Sequence, residues 1–248
     1  MRPIILITGG SRGIGAACAE LAAQRGFDVC LSYVANHGAA DLVKAECESH
    51  GARVVTVQCD VSDEDDVLAL FETCDNELGA PDVLINNAGV LGIQGELADF
   101  SADRIKRTID VNVYGALLCM REAGRRMSTA RGGAGGSIVN VSSRASTLGS
   151  PFEYVDYAAT KGAVDAATIG LSKELGGAGV RVNAVRPGVI HTDIHASGGE
   201  PDRIARVAPN IPQGRGGQPE EIANLVLWLA SEEASYVNGA LIDISGGR

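Results

Sequence analysis

Short runs of β-branched and apolar residues alternate with stretches of helical periodicity along the whole chain. Seven runs have the composition of strands: Ile4 to Thr8, Val29 to Tyr33, Arg53 to Cys59, Val83 to Asn86, Ser137 to Ser142, Val180 to Val185 and Leu241 to Ile244. Helical spacing of apolar residues appears between them, for example in Ile14 to Arg25, Asp63 to Leu78 and Glu220 to Leu229. Strands that alternate with helices form a parallel sheet covered on both faces. We therefore predict an α/β fold, a doubly wound parallel sheet of about seven strands in three layers.

The composition suits one large hydrophobic core. The chain has 248 residues, 45% of them hydrophobic, and contains no stretch that resembles an interdomain linker. We predict a single domain over residues 1–248. The formal net charge of −10 disfavours a nucleic-acid partner, because binding phosphates requires a basic protein face.

Targeting signals, membrane spans and metal-ligand clusters are not evident in the sequence. Met1 to Leu6 leads directly into the first strand, without the apolar region of a secretory signal, and no apolar run has the length of a membrane span. The six cysteines show no Cys-x-x-Cys spacing, and the four histidines form no ligand pattern. We expect a cytoplasmic protein with reduced thiols, no metal and no membrane partner.

A glycine-rich turn follows the first strand and opens directly into a helix. It reads Thr8-Gly9-Gly10-Ser11-Arg12-Gly13-Ile14-Gly15. Glycines there permit a tight turn and the close approach of a pyrophosphate, and a helix N-terminus favours negative charge. The Gly-x-x-x-Gly-x-Gly spacing departs from the commoner Gly-x-Gly-x-x-Gly pattern, so a turn that binds no nucleotide is the alternative. Its place at the carboxyl end of a strand, where such sheets bind ligands, favours a dinucleotide.

The end of the second strand carries information on the cofactor. NAD-preferring sites have an acidic residue there that binds the ribose 2′-hydroxyl, but this segment reads Ser32-Tyr33-Val34-Ala35-Asn36-His37. Arg12, in the glycine turn, is placed to meet a 2′-phosphate, and Asn36 can donate a hydrogen bond to it. Both can also be ordinary loop residues. We predict a preference for NADP(H), with NAD(H) possible.

The third and fourth strands also end in residues suited to a nucleotide. Asp60 and Val61 follow the third strand, where Asp60 can accept from the adenine amino group or cap the next helix. Asn87, Ala88 and Gly89 follow the fourth strand and are small and amide-rich. That composition suits a backbone that passes close to a cofactor.

Tyr157 and Lys161 are four residues apart and share one face wherever the segment is helical. A tyrosine has an unperturbed pKa of about 10, and a nearby cation stabilises its phenolate. The pair can therefore exchange protons near neutral pH. Alone it is weak evidence, because helices carry many such pairs on solvated surfaces.

Five motifs occur in a set order: Thr-Gly-x-x-x-Gly-Ile-Gly, Asn-Asn-Ala-Gly, a Ser-Ser strand end, Tyr-x-x-x-Lys and Pro-Gly. In this order they resemble the short-chain dehydrogenase/reductase family, over essentially the whole chain. The likeness is to the compact, single-domain type that includes 3-oxoacyl carrier-protein reductases and bacterial sugar dehydrogenases. It implies a Rossmann-like fold and hydride transfer between a nicotinamide and a carbonyl or secondary alcohol.

The resemblance assigns four catalytic residues: Asn112, Ser143, Tyr157 and Lys161. Tyr157 would be the acid/base, with its pKa depressed by Lys161 and the oxidised nicotinamide; Lys161 would also hold the nicotinamide ribose. Asn112 matches an asparagine that kinks a helix and holds a water linked to Lys161, with local backbone capping as the alternative. Ser143 is favoured to bond the substrate oxygen. Ser142 stays an alternative, because the interval to Tyr157 is one residue longer than in the carrier-protein reductases.

The segment after the sixth strand resembles the one that packs under the nicotinamide carboxamide, with Thr192 donating to its amide. Residues 191–217 are rich in Gly, Pro and charge, which indicates a mobile lid over the substrate. The expected cofactor-binding residues are Thr8, Gly9, Ser11, Arg12, Gly13, Ile14, Gly15, Tyr33, Asn36, Asp60, Val61, Asn87, Ala88, Gly89, Tyr157, Lys161, Pro187, Gly188, Ile190 and Thr192.

These observations predict an NADP(H)-dependent oxidoreductase for a small sugar, polyol, ketone or ketoester. Reduction of a 3-oxoacyl carrier protein is an alternative, weakened because Ala134 and Ala178 stand where carrier-docking members have basic residues. A non-catalytic NADP(H) sensor is a second alternative, disfavoured because all four catalytic residues are present. We expect a homotetramer formed through Trp228 to Ile244, although this apolar segment can also pack on its own sheet alone.

Overall fold

The computed structural model describes residues 2–248 and contains one seven-stranded sheet. Its strands are β1 (Ile4–Ile7), β2 (Asp28–Tyr33), β3 (Val54–Gln58), β4 (Val83–Asn86), β5 (Gly136–Val141), β6 (Val180–Pro187) and β7 (Leu241–Ile244). The spatial order is β3-β2-β1-β4-β5-β6-β7, and every neighbouring pair is parallel. The predicted doubly wound fold is thus confirmed.

Helices cover both faces of this sheet. They are α1 (Gly13–Gln24), α2 (His37–Ser49), α3 (Glu64–Glu77), α4 (Ala102–Ile109), α5 (Ala116–Met127), α6 (Ala145–Leu148), α7 (Val155–Gly176), α8 (Ile194–Ser197), α9 (Arg203–Val207) and α10 (Pro219–Ala230). A π-helical turn, Asp110–Gly115, joins α4 to α5. The segment predicted to be an aperiodic lid therefore contains the two short helices α8 and α9.

Side chains that alternate along each strand divide the core into two layers. Ile5 and Ile7 of β1 pack in a cluster with residues of α1, α2 and α10, whereas Ile4 and Leu6 pack with α3, α5 and α7. All four residues of β1 are buried, as expected for a central strand covered on both faces. Helices on both sides thereby fix the strand ends that form the site.

The strand order reverses at β1, which pairs with β2 on one side and with β4 on the other. The connections after β1 and β4 leave the sheet towards opposite faces at such a point, and a crevice opens at their carboxyl ends. The glycine turn follows β1 and the Asn-Asn-Ala-Gly segment follows β4. The topology thus brings together two motifs that are separated by about 80 residues in the sequence.

Within residues 2–248 no group of His, Cys, Asp and Glu side chains has the arrangement of a metal site. Over the same residues, the model contains no helix with the length and apolar character to cross a membrane. The six cysteines are buried and free, and burial raises the pKa of Cys18 and Cys47 to about 12.

Candidate active site

A cavity of about 500 Å³ follows the carboxyl ends of the central strands. Every residue predicted for the site lines it except Thr8, Gly15 and Asn112. It extends from the loop after β2, past the glycine turn, to Ser143 and Tyr157. One continuous cavity therefore joins the predicted cofactor residues to the predicted catalytic residues.

The glycine turn fits a dinucleotide because two of its residues need glycine's conformational freedom and a third has no room for a side chain. Gly9 and Gly13 have φ angles of +64° and +55°. A Cβ on Gly15 would lie 2.2 Å from the Gly9 carbonyl oxygen. The turn thus presents bare backbone at the start of α1, where amide groups and the helix dipole favour a pyrophosphate.

Thr8 and Asn87 hold this turn in place from behind. The Thr8 hydroxyl accepts hydrogen bonds of 3.0 Å from the backbone amides of Asn87 and Ala88. The Asn87 side chain donates to the carbonyl oxygens of Thr8 and Gly9, also at 3.0 Å. The fully buried Thr8 therefore braces the cofactor-binding residues, and its contacts are with protein backbone.

The far end of the cavity contains the residues predicted to select the cofactor. The guanidinium of Arg12 makes no hydrogen bond or ion pair with any other residue between 2 and 248. Asn36 caps α2 by accepting from the Ala39 amide at 3.0 Å, which leaves its amide NH₂ group as a donor. The phenol of Tyr33 is hydrogen-bonded to Nδ1 of His37 at 2.7 Å. These side chains provide cationic and neutral hydrogen-bond donors, and no carboxylate is among them.

Asp60 is held by a local network and does not cap α3. Its carboxylate accepts from the Ser62 hydroxyl at 2.7 Å and from the Arg107 guanidinium at 2.8 Å. Burial alone would raise the pKa of Asp60, but these hydrogen bonds and the Arg107 charge lower it. The N-cap of α3 is Asp63, so the capping alternative considered for Asp60 is wrong.

The two serines at the end of β5 point in opposite directions, because side chains alternate along a strand. The Ser142 hydroxyl is buried and donates to the Lys161 carbonyl oxygen at 3.2 Å. The Ser143 hydroxyl accepts from the Ala145 amide at 3.1 Å and lies against Tyr157, whose pKa it lowers. Ser143 is thus the serine beside the phenol.

Lys161 lies beside Tyr157, but its ammonium donates to a backbone carbonyl. The distance from Lys161 Nζ to the Val141 oxygen is 2.7 Å, and to the centre of the Tyr157 ring it is 5.5 Å. Burial lowers the pKa of Lys161 to about 8 and raises the pKa of Tyr157 to about 12, because it disfavours both charged forms. Burial is the largest effect on the phenol pKa, and the Ser143 hydrogen bond and the Arg203 charge oppose it.

Asn112 lies in the π-helical turn and connects three elements. Its side chain accepts from the Val90 amide at 2.8 Å and donates to the Val90 oxygen at 2.9 Å. It also donates to the Thr160 hydroxyl at 3.2 Å, next to Lys161. Local capping does not describe these bonds, because both partners are distant in sequence. Asn112 positions the loop after β4 and the lysine, and its side chain does not line the cavity.

Sequence reasoning missed the arginines at the substrate end of the cavity. Arg203 is 7% exposed and donates to Glu153 at 2.6 Å and to Glu200 at 2.7 Å. Its guanidinium carbon lies 5.0 Å from the centre of the Tyr154 ring. Arg248 also lines this end. No local signal marked either residue, since Arg203 is in a segment without periodicity and Arg248 is more than 40 positions further on.

The loop before α7 contains the only two non-glycine residues with positive φ between positions 2 and 248. Ser150 has a φ of +44° and Phe152 a φ of +62°. Such conformations are strained for a bulky side chain. The ring of Phe152 is 75% exposed, so packing of the ring does not compensate for the strain. This loop lies within the interval between Ser143 and Tyr157, which is one residue longer than in the carrier-protein reductases.

Comparisons with known proteins identify the relatives of this chain. A model of the family described as enoyl-(acyl carrier protein) reductase matches residues 9–248. An uncharacterized oxidoreductase of Escherichia coli, YgfF, is 52% identical over 245 residues and covers 99% of both chains. A cis-4-hydroxycyclohexanecarboxylate dehydrogenase of Sinomonas cyclohexanicum is 38% identical, over 98% of this chain and 95% of its own.

A solved structure also matches over nearly the full length. A short-chain dehydrogenase from Burkholderia cenocepacia, crystallised in complex with NADP, has a TM-score of 0.89 and 32% identity. The match covers 99% of this chain and 97% of that one. The cofactor in that crystal is the one that the sequence predicted here.

Proposed function

This chain belongs to the short-chain dehydrogenase/reductase family, whose members are oxidoreductases acting on CH–OH groups, and we propose that it is an NADP(H)-dependent enzyme for a small carbonyl or secondary alcohol. The observation that carries the proposal is the cavity in which Tyr157, Ser143 and Lys161 lie together beyond the glycine turn. The Burkholderia structure with NADP and the Sinomonas relative, named for a secondary alcohol, support it.

The glycine turn binds the pyrophosphate, and Arg12 with Asn36 binds the 2′-phosphate of NADP(H). Arg12 has no partner among residues 2–248, and the Asn36 amide keeps its donors while its oxygen caps α2. Arg12 is exposed at the cavity, and a guanidinium matches the oxygens of a phosphate with paired, charge-assisted donors. Lys161, which lies next to Gly89 in the cavity, binds the nicotinamide ribose.

When bound, the cofactor supplies or accepts the hydride at the substrate carbon. Tyr157 donates the proton to the carbonyl oxygen in reduction and removes it in oxidation, and Ser143 donates a hydrogen bond to the same oxygen. The pKa of about 12 keeps Tyr157 protonated at neutral pH, which suits the reductive direction. For oxidation the phenolate needs additional positive charge nearby.

Asn112 acts through Lys161. Its bonds to Val90 and Thr160 fix the loop after β4 and the helix that carries Tyr157 and Lys161. A π-helical turn of this kind inside an α-helical segment can leave a backbone carbonyl without its regular partner. Such a carbonyl can hold a water between Lys161 and solvent, through which the proton on Tyr157 is replaced.

Reduction of a carrier-bound acyl chain is a weaker candidate. Ala134 and Ala178 provide no cation for an acidic carrier, and the net charge of −10 repels it. A non-catalytic sensor is also weaker, because a chain that only binds a nucleotide has no need of Ser143 beside Tyr157 in the same cavity. Both candidates would bind NADP(H), but neither would turn over small free carbonyl compounds as the proposed enzyme does.

The test is binding of NADPH and NADH by calorimetry, followed by NADPH oxidation with a panel of carbonyl compounds. Replacement Tyr157→Phe removes the proton donor and leaves the ring, so we expect turnover to fall at least 10³-fold while NADPH binding stays within about threefold. The control is Tyr236→Phe, since Tyr236 is fully exposed. Full activity of Tyr157→Phe would show that this mechanism is wrong, and binding of neither cofactor would exclude the enzyme function itself.

A further inference from the structure

The substrate end of the cavity presents positive charge from three arginines. Arg144, Arg203 and Arg248 line the cavity, whereas their carboxylate neighbours Glu153, Glu200 and Asp243 do not. The three arginines thus line the cavity, and the side chains of their carboxylate partners are outside its lining. The one acidic residue that lines this region, Asp193, follows Thr192, which packs against Gly13 at the cofactor side.

Arg203 is fixed in place beside the reacting groups. Its two terminal nitrogens are held by Glu153 and Glu200, and Tyr154 lies under the guanidinium plane. Its Nε–H donates to no residue between positions 2 and 248, so at least this donor is available to a ligand. Arg203 is near enough to Tyr157 that its charge lowers the pKa of the phenol.

Arg248 has a guanidinium without a partner. No hydrogen bond or ion pair joins that group to any other residue from 2 to 248. Partial burial, and the positive charges of Arg203, Arg206 and Arg144, lower the pKa of Arg248. This repulsion remains, although Arg144 is paired with Asp243 at 2.8 Å and its Nε donates to the main-chain oxygen of Arg248 at 2.7 Å. A negatively charged ligand between Arg203 and Arg248 would relieve it.

We infer that the substrate carries a carboxylate, which binds between Arg203 and Arg248 while its carbonyl oxygen lies at Tyr157 and Ser143. This inference rests on the proposed function and names its substrate class, a small oxo acid or the corresponding hydroxy acid. One unpaired guanidinium matches the single charge of a carboxylate better than the two charges of a phosphate ester. The carboxylate is unchanged in the reaction: hydride adds to the carbonyl carbon, and the Tyr157 proton adds to its oxygen.

Binding is tested first, in a form that does not depend on turnover. The inactive Tyr157→Phe variant is saturated with NADPH, and 4-oxocyclohexanecarboxylate and its methyl ester are titrated by calorimetry. The acid and the ester share the ring and the ketone and differ in the negative charge. We expect the acid to bind at least tenfold more tightly than the ester.

Two arginine variants then locate the contact. Arg248→Gln, in the same Tyr157→Phe background, should reduce the ratio of acid affinity to ester affinity at least tenfold, because it weakens the binding of the acid alone. Arg206→Gln is the matched control: Arg206 binds the same two carboxylates as Arg203, Glu153 and Glu200, but does not line the cavity. Because Arg206 acts on Arg248 only through its charge and from outside the cavity, this variant should change the ratio much less than Arg248→Gln does. In the wild-type enzyme, the ratio of kcat/KM values should follow the binding ratio.

The outcomes separate this inference from the proposed function. The carboxylate site would be overturned if the acid and the ester bound equally, or if the ester bound more tightly. It would also be overturned if Arg248→Gln weakened the binding of both compounds equally. Tighter binding of dihydroxyacetone phosphate than of the oxo acid would likewise overturn it. Turnover of neutral ketones together with any of these results would leave the proposed function intact. Failure of the wild-type protein to bind NADPH would overturn both.

Discussion

Burial sets the protonation of the two central residues of the site. It raises the pKa of Tyr157 to about 12 and lowers that of Lys161 to about 8, although Asp165 partly counteracts the effect on the lysine. One pKa unit corresponds to about 1.4 kcal/mol, so holding Lys161 charged in the fold costs on the order of 3 kcal/mol. The residue is thus kept at a cost in stability, as expected for a group required by function.

Replacement of Lys161 by Met should therefore stabilise the fold while removing activity. At pH 7 the variant loses the cost of the buried charge and also the bond to Val141, for a net gain of about 1 to 2 kcal/mol in the free energy of unfolding. Because the folded-state pKa is the lower one, the unfolded chain holds more protons from about pH 8 upwards. The buried Lys161 charge therefore destabilises the wild-type fold fully below about pH 8, and this effect disappears as the pH rises towards the unfolded-state pKa of the lysine.

Urea unfolding of both proteins at pH 7 and pH 10 measures this difference. The gap between Lys161→Met and the wild type should narrow at the higher pH, where wild-type Lys161 is neutral when folded. A variant that is less stable than the wild type at pH 7 would show that the Val141 bond outweighs the cost of burial.

Arg12 is the second residue whose effect can be isolated. Arg12→Gln should weaken NADPH binding at least tenfold and leave NADH binding nearly unchanged, since only NADPH offers a 2′-phosphate to the guanidinium. Calorimetric titration of both cofactors gives the ratio, with Arg131→Gln, an exposed arginine outside the cavity, as the control. An equal loss for both cofactors would place Arg12 at the pyrophosphate instead.

Among the elements, two helices are constrained in different ways. Close backbone contacts limit the residues allowed in α1 and its glycine turn, whereas the site residues on α7 limit the residues allowed in that helix. The Gly9 carbonyl lies where any side chain at position 15 would begin, so the turn and the first residues of α1 form one unit. Helix α7 runs for 22 residues and carries Tyr157 and Lys161 at the cavity and Thr160 beside Asn112. Gly170, on its exposed side, has nothing within 4 Å of an added Cβ.

A pair of glycine replacements tests this contrast. Gly15→Ala should destabilise the fold by on the order of 3 kcal/mol and abolish NADPH binding, because its Cβ would overlap a backbone oxygen. Gly170→Ala should stabilise it by about 1 kcal/mol, the helix propensity difference. Thermal or urea unfolding of the two variants, made and purified together, gives both values. A tolerated Gly15→Ala would mean that the turn can shift without loss of function.

At the scale of the whole molecule, the sheet ends in an open edge. β7 pairs with β6 alone, and three of its four residues are only partly buried. Trp228 of α10 is likewise partly buried. Partly exposed apolar residues next to an unpaired strand edge are typical of an interface between copies of a chain.

The homotetramer accordingly stays a prediction, with this edge as one of its interfaces. Sedimentation velocity at micromolar concentration should give a particle of about four times the chain mass of 25.6 kDa. A monomer at that concentration would contradict the prediction and assign the apolar residues of 228–244 to the chain's own core.

Local sequence determined the strands, most helix positions and the motifs at the strand ends, because hydrophobic periodicity and glycine requirements are properties of neighbouring residues. The tertiary structure decided which atoms meet. It showed that Ser143 lies beside Tyr157 while Ser142 donates to a backbone oxygen, that Thr8 braces the turn from behind, and that burial raises the pKa of the phenol. It also brought Arg203 and Arg248 to one end of the cavity. These features depend on contacts between residues far apart in the chain, and no local pattern records such contacts.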